Sequence, residues 1–212
     1  MKGLLLKDIY NLKRLGKQYV ITCAGMMVWS GFMKNYSFFP MMIMLCGVMS
    51  VISSFSFDEA AHFEKYALTL PVTKKNLVQS KYVLLLAFLA GAFVIGILGS
   101  LLMSLVLEGG IDELAEQLVS AASVACLFLL AFSTMIPIIF KLGVEKGRML
   151  LVAIYMGIFV FVWGGIYLLK DLGIRISDST VSKFSGIGAA VILVFLFISY
   201  RVSVRIVEKK EW

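Results

Sequence analysis

Six long apolar runs, separated by short charged or polar connections, set the pattern of this chain: residues 18–33, 36–57, 82–107, 118–140, 149–169 and 184–200. The hydrocarbon core of a bilayer takes about 20 apolar residues in a helix, so each run predicts one membrane-crossing helix. The first is slightly short. The third, Tyr82 to Leu107, holds no charged residue and is long enough to tilt. The predicted fold is therefore all-α: a single transmembrane domain over residues 1–212 with six spans, an N-terminal interfacial helix and a helical loop between the second and third spans.

Two of the connecting segments carry a pattern of their own. In residues 1–17, Leu5, Ile9, Leu12 and Gly16 fall on one helical face, and Lys7, Asn11 and Arg14, with Gln18 beyond, on another. This suits a helix lying in the interface with its basic side towards anionic headgroups, or an ordinary positive flank with some helical character. In residues 58–81, Ser56 and Glu59 fit a capping box, and Asp58 and Glu59 suit a helix N-terminus, predicting a short helix through about Ala67. Pro71 interrupts it, and Thr73 can cap a new helix running through Lys81 into the third span. A short helix clamped between two spans suits docking of another protein; the alternative is a solvated amphipathic hinge.

Composition agrees with the membrane reading. The 212 residues are 60% hydrophobic and 16% charged, with a mean hydropathy of +0.94, well beyond a soluble domain. A net charge of +7 raises nucleic acid as a partner, but the basic residues punctuate the apolar runs instead of gathering on a face with aromatics. Their distribution instead gives the topology. Residues 1–17, the 58–81 loop, the 141–148 connection and the tail from Arg201 hold sixteen Lys and Arg, against four (Lys34, Lys170, Arg175, Lys183) on the other side. By the positive-inside rule both termini are expected in the cytoplasm. The acidic 108–117 loop then lies outside. Trp29, Tyr36, Tyr82, Trp163, Tyr167 and Tyr200 fall near the expected interfaces, and Pro137 stands near the end of the fourth span, where it can kink the helix. No cleaved signal peptide is expected.

Candidate chemistry is sparse. Cys23, Cys46 and Cys126 lie inside apolar runs without metal or redox spacing. His62 is the single histidine, which leaves little basis for a multi-histidine metal site or a His-paired nucleophile. No G-x-x-x-x-G-K-[ST] phosphate loop occurs, so the chain is not expected to be an enzyme or to bind a cofactor itself. No span has a charge near its centre and no inverted repeat is evident, which argues against a secondary transporter. Ala92, Gly96, Ser100 and Ser104 recur every four residues and make a smooth ridge for close helix packing. Seven of the twelve methionines fall in the first two spans and their link. They suit adaptable packing or a surface for varied apolar ligands.

The stretch from Glu64 to Tyr82, EKYALTLPVTKKNLVQSKY, with its LP-V-T-K-K core and following SKY, resembles the second cytoplasmic segment of ABC-2 type permeases. Length, span number and the basic N-terminal segment are similar across the chain, most closely to small bacterial permeases that export peptides such as phenol-soluble modulins or bacteriocins. The resemblance implies a permease in a bacterial plasma membrane that pairs with a second permease chain, identical or homologous, and two ATPase subunits, which would hold the ATP and Mg. It implies a coupling helix over about Asp58 to Ala67, with Asp58, Glu59, His62, Phe63, Lys65 and Tyr66 docking the ATPase. A hydrophobic or amphipathic cargo is expected. The rival reading is a membrane scaffold or sensor that binds another partner through the same loop.

Overall fold

The computed structural model describes residues 2–33, 38–67, 69, 73–107, 114–171 and 178–210. They form eight helices: α1 (Lys2–Lys13), α2 (Gly16–Phe32), α3 (Phe38–Ala60), α4 (Phe63–Ala67), α5 (Lys74–Leu107), α6 (Leu114–Leu142), α7 (Val144–Asp171) and α8 (Asp178–Lys209). No strand occurs among the described residues. By length and composition three stretches are fit to cross a membrane among the described residues: Phe38–Ala60, Lys74–Leu105 and Gln117–Leu142. At 17 residues α2 is short for a span. Tyr36, Pro71, Glu108, Asp112, Glu113 and the side chains of Glu116, Trp163 and Tyr167 lie outside the described residues.

Small residues position the central helices. Gly47 of α3 stands against Ala92 and the Phe88 carbonyl of α5, where an added Cβ would lie 3.0 and 3.2 Å away. At Gly96 an added Cβ would come within 2.8 Å of the Pro40 Cα, so the backbones of α3 and α5 nearly touch. Lipid tails are as apolar as leucine, and helices in a bilayer therefore gain from close packing more than from burial. Ala92, Gly96, Ser100 and Ser104 are all buried, and the first two face α3. Met44, Val48, Val51 and Phe55 of α3, Val78, Leu85 and Leu89 of α5, and Ile136, Ile139 and Phe140 of α6 form the centre of the core. Phe55 and Phe140 meet edge to face with centroids 5.3 Å apart. Hydroxyls within the helices bond back to carbonyls a turn away, as Ser50 does to Cys46 at 3.0 Å and Ser53 to Met49 at 3.1 Å, so they need no water.

Two local expectations change. In α1 the inward face is Leu4, Asp8 and Leu12, packed towards α3 and α5, while Ile9 points outward. Protein contact, and not lipid alone, fixes how this helix rolls. The capping box at Ser56 does not form: α3 runs unbroken to Ala60, and the Ser56 hydroxyl donates to the Ile52 carbonyl at 3.1 Å. The span ends later because its apolar packing carries the helix past Asp58. The break falls instead at Ala61–His62, where His62 takes φ +46°, the left-handed conformation that ends many helices. Pro137 stands inside α6, which runs on to Leu142.

Candidate coupling site

The end of the bundle that carries α1, α4 and the α6–α7 turn gathers most of the described charge interactions. Lys81, on the second turn of α5, is almost fully buried. Its ammonium lies 3.1 Å from Asp8 Oδ2, 2.6 Å from Asp58 Oδ2 and 2.7 Å from Ser54 Oγ. Three donors thus meet three acceptors. Asp8, itself buried, and Asp58 also share Lys7, at 3.2 and 2.5 Å. The Lys7 ammonium stands 3.5 Å from the centre of the Phe63 ring, a cation–π contact. Two cations and two anions alternate, so the cluster is neutral. It joins α1, α3 and α5 and sets the first residue of α4.

Glu59 makes the next link. Its Oε2 accepts the Val144 N–H at 2.7 Å. The chain at this point has just left α6: the Gly143 N–H donates to the Ile139 carbonyl at 2.8 Å, and Gly143 takes φ +84°, a conformation glycine adopts without penalty. One glycine closes α6 and opens α7, and it has no side chain with which to cap α7. A carboxylate from α3 fills the role of an N-cap and stands at the positive end of the helix dipole. An added Cβ at residue 143 would lie 2.9 Å from Glu59 Oε1.

The six residues expected to dock a partner therefore divide. Asp58 is turned into the ion cluster, Glu59 spends its carboxylate on α7, and Phe63 lies half-buried under Lys7. His62, Lys65 and Tyr66 are exposed, Tyr66 by 60%. Thr73 caps α5 by accepting the Asn76 N–H on Oγ1 at 3.3 Å. Beyond it, Lys74 donates to the Glu208 and Lys210 carbonyls at 3.2 and 3.1 Å, and Lys210 donates to the Phe140 carbonyl at 3.2 Å. Both place a cation at the C-terminus of a neighbouring helix.

A second buried network starts from the next residue of α5. The Tyr82 hydroxyl is 2.7 Å from Ser199 Oγ and 2.9 Å from Ser203 Oγ. Ser199 donates onward to the Ser133 carbonyl, which is the carbonyl left without its helical donor by Pro137. Since Ser199 has one hydrogen, Tyr82 donates to Ser199 and Ser203 to Tyr82. This network explains why α6 tolerates its proline.

Asp8, Lys81, Ser54, Tyr82 and Ser199 were not singled out as site residues in the sequence. Asp8 had a signal, being the sole acid before Asp58, set four residues from Leu4 and Leu12 on one helical face.

The family comparison accords with this architecture: a model of the ABC-2 family transporter proteins matches residues 3–208. The chain belongs to the ABC-2 transporter family. It is a membrane permease component, of the kind that generally partners with ATPase subunits. No curated protein and no solved structure matches the chain.

Proposed function

We propose that this ABC-2 permease is one transmembrane half of an ATP-driven exporter and that the exposed face of α4 is where a separate ATPase docks. The observation that carries the proposal is the placement of His62, Lys65 and Tyr66. Lys65 and Tyr66 stand exposed on a short helix and His62 in the turn just before it, and Lys7 of the Lys7–Asp8–Asp58–Lys81 cluster, which joins α1, α3 and α5, holds the helix through the Phe63 ring. A docking helix must pass force into the spans, and an anchored one does so where a free hinge does not.

In this reading α2, α3, α5, α6, α7 and α8 are the six spans, and both termini and α4 lie in the cytoplasm of a bacterial cell. A second permease chain completes the pathway. ATP and Mg are held by the partner, and this chain hydrolyses nothing. ATP-driven closure of the two ATPases pulls on α4, and the pathway switches outward because the ATPases bind the two permease states unequally. Glu59 extends that pull to α7 through Val144. The absence of charge from the span centres favours a hydrophobic or amphipathic cargo.

Site-directed crosslinking tests the docking face. In a chain whose cysteines are replaced by serine, Tyr66→Cys should crosslink to the co-expressed ATPase in membranes. Phe32→Cys, which is still more exposed but lies on α2, should not. Equal crosslinking from both positions, or none from residue 66, contradicts the assignment.

A further inference from the structure

Between α3, α6 and α7 lies a cavity of about 510 Å³, walled by Ile52, Phe128, Phe132, Met135 and Leu151 among others, with Arg148 at one end. Its volume falls in the range of small-molecule sites. The arrangement along α7 is graded. Arg148 stands one turn from Val144, at the charged end of the bundle, and the apolar liners Leu151, Val152, Tyr155 and Met156 run away from it for about 12 Å at 1.5 Å per residue.

The one other polar function in the wall is already used. The Tyr155 hydroxyl donates to the Ala131 carbonyl at 3.0 Å and lies 2.9 Å from Thr134 Oγ1, so it ties α7 to α6 and offers the groove only its ring. Arg148 differs. Among the described residues it has no ion-pair or hydrogen-bond partner. Glu145 lies one turn back on α7 without reaching it, while Lys141 and Lys146 add positive charge to the same end. An unpaired guanidinium offers several N–H donors in a fork that matches a phosphate.

We propose that this groove holds one acyl chain of an anionic phospholipid, with Arg148 against the headgroup phosphate. A bilayer lipid fits because the groove's polarity runs as a lipid's does: the charged end sits at the end of the bundle and the apolar part extends along a span. Charge selects the anionic class, since a zwitterionic headgroup brings its own cation to a place already occupied by Arg148, Lys141 and Lys146. The site stands apart from ATPase docking, sharing none of the exposed α4 residues.

Native mass spectrometry of the full chain in neutral detergent, titrated with dioleoyl phosphatidylglycerol or dioleoyl phosphatidylcholine, tests the site. The wild type should retain one phosphatidylglycerol per chain about tenfold more tightly than phosphatidylcholine. Arg148→Gln, a change at an exposed position, should abolish that preference, and Lys141→Gln should keep most of it. Ala131→Phe, which fills the groove, should lower retention of both lipids. Equal retention of the two lipids by the wild type, or an undiminished preference in Arg148→Gln, overturns the proposal. So does a groove-filling variant that leaves lipid retention intact but breaks a chain dimer, which would assign the groove to a second copy.

Discussion

The carboxylate of Glu59 caps a helix that begins 85 residues further along the chain, accepting the Val144 N–H at 2.7 Å. Gly143 makes this possible by its positive φ and its missing Cβ. Glu59→Ala should destabilise the chain by about 1 kcal/mol, the usual worth of a helix N-cap, while Glu59→Gln, which keeps an acceptor oxygen, should lose less. Gly143→Ala should cost about 1–2 kcal/mol from left-handed strain, and part of that loss should disappear in a Glu59→Ala background, where the contact with the carboxylate is gone. Unfolding midpoints of the four variants in one detergent check this. An unchanged midpoint for Glu59→Ala contradicts the capping role.

The buried ion cluster makes a stronger claim. Removing Lys81 leaves Asp8 and Asp58 facing each other with only the partly exposed Lys7 for compensation. Lys81→Met should therefore cost about 3–5 kcal/mol, the range for stripping one partner from a buried pair. In Asp8→Ala one of the two acidic partners is absent and Lys7 still balances Asp58, so the added cost of Lys81→Met should be smaller. The double-mutant cycle, read by denaturant titration in mixed micelles, should show coupling well above the roughly 0.5 kcal/mol scatter of independent sites. Additive losses would mean that the two residues act separately.

Pro137 and Ser199 form a second testable pair. Ser199→Ala leaves the Ser133 carbonyl buried without a donor and should cost about 1–3 kcal/mol. Pro137→Ala restores a backbone N–H at the position that carbonyl lacks, so Ser199→Ala should cost less in that background. Tyr82→Phe removes the donor to Ser199 but leaves the Ser199 hydrogen on the Ser133 carbonyl, so its cost should be the same with proline or alanine at 137. If the cost of Ser199→Ala is the same with proline or alanine at 137, the hydroxyl does not stand in for the missing helical bond.

How much of this was legible in the sequence depended on the range of the interaction. Thr73 as a cap, the Ala92–Gly96–Ser100–Ser104 ridge and the all-helical character follow from spacing and composition, which are local. The end of α3 was misplaced because a capping box at Ser56 is a local signal, overridden by the packing that carries the helix to Ala60. Glu59 and Asp58 read as exposed charges at a helix start, and their partners, Val144 and Lys81, are set by tertiary contact across the bundle. The residues of the SKY motif have structural partners that spacing does not reveal. Ser80 bonds back to the Leu77 carbonyl, Lys81 fills the ion cluster and Tyr82 opens the network to Ser133.

Whether α4 couples this permease to an ATPase is open to co-purification. The tagged chain would be co-expressed with the ABC ATPases of its own cell and purified in mild detergent, in parallel with a variant carrying His62→Gly, Lys65→Glu and Tyr66→Ala. His62→Gly relieves a left-handed residue and the other two positions are exposed, so the variant should fold and insert. The wild type should carry a stoichiometric ATPase and the variant should lose it. An ATPase retained equally by both, or absent from a folded wild-type chain, would contradict the coupling.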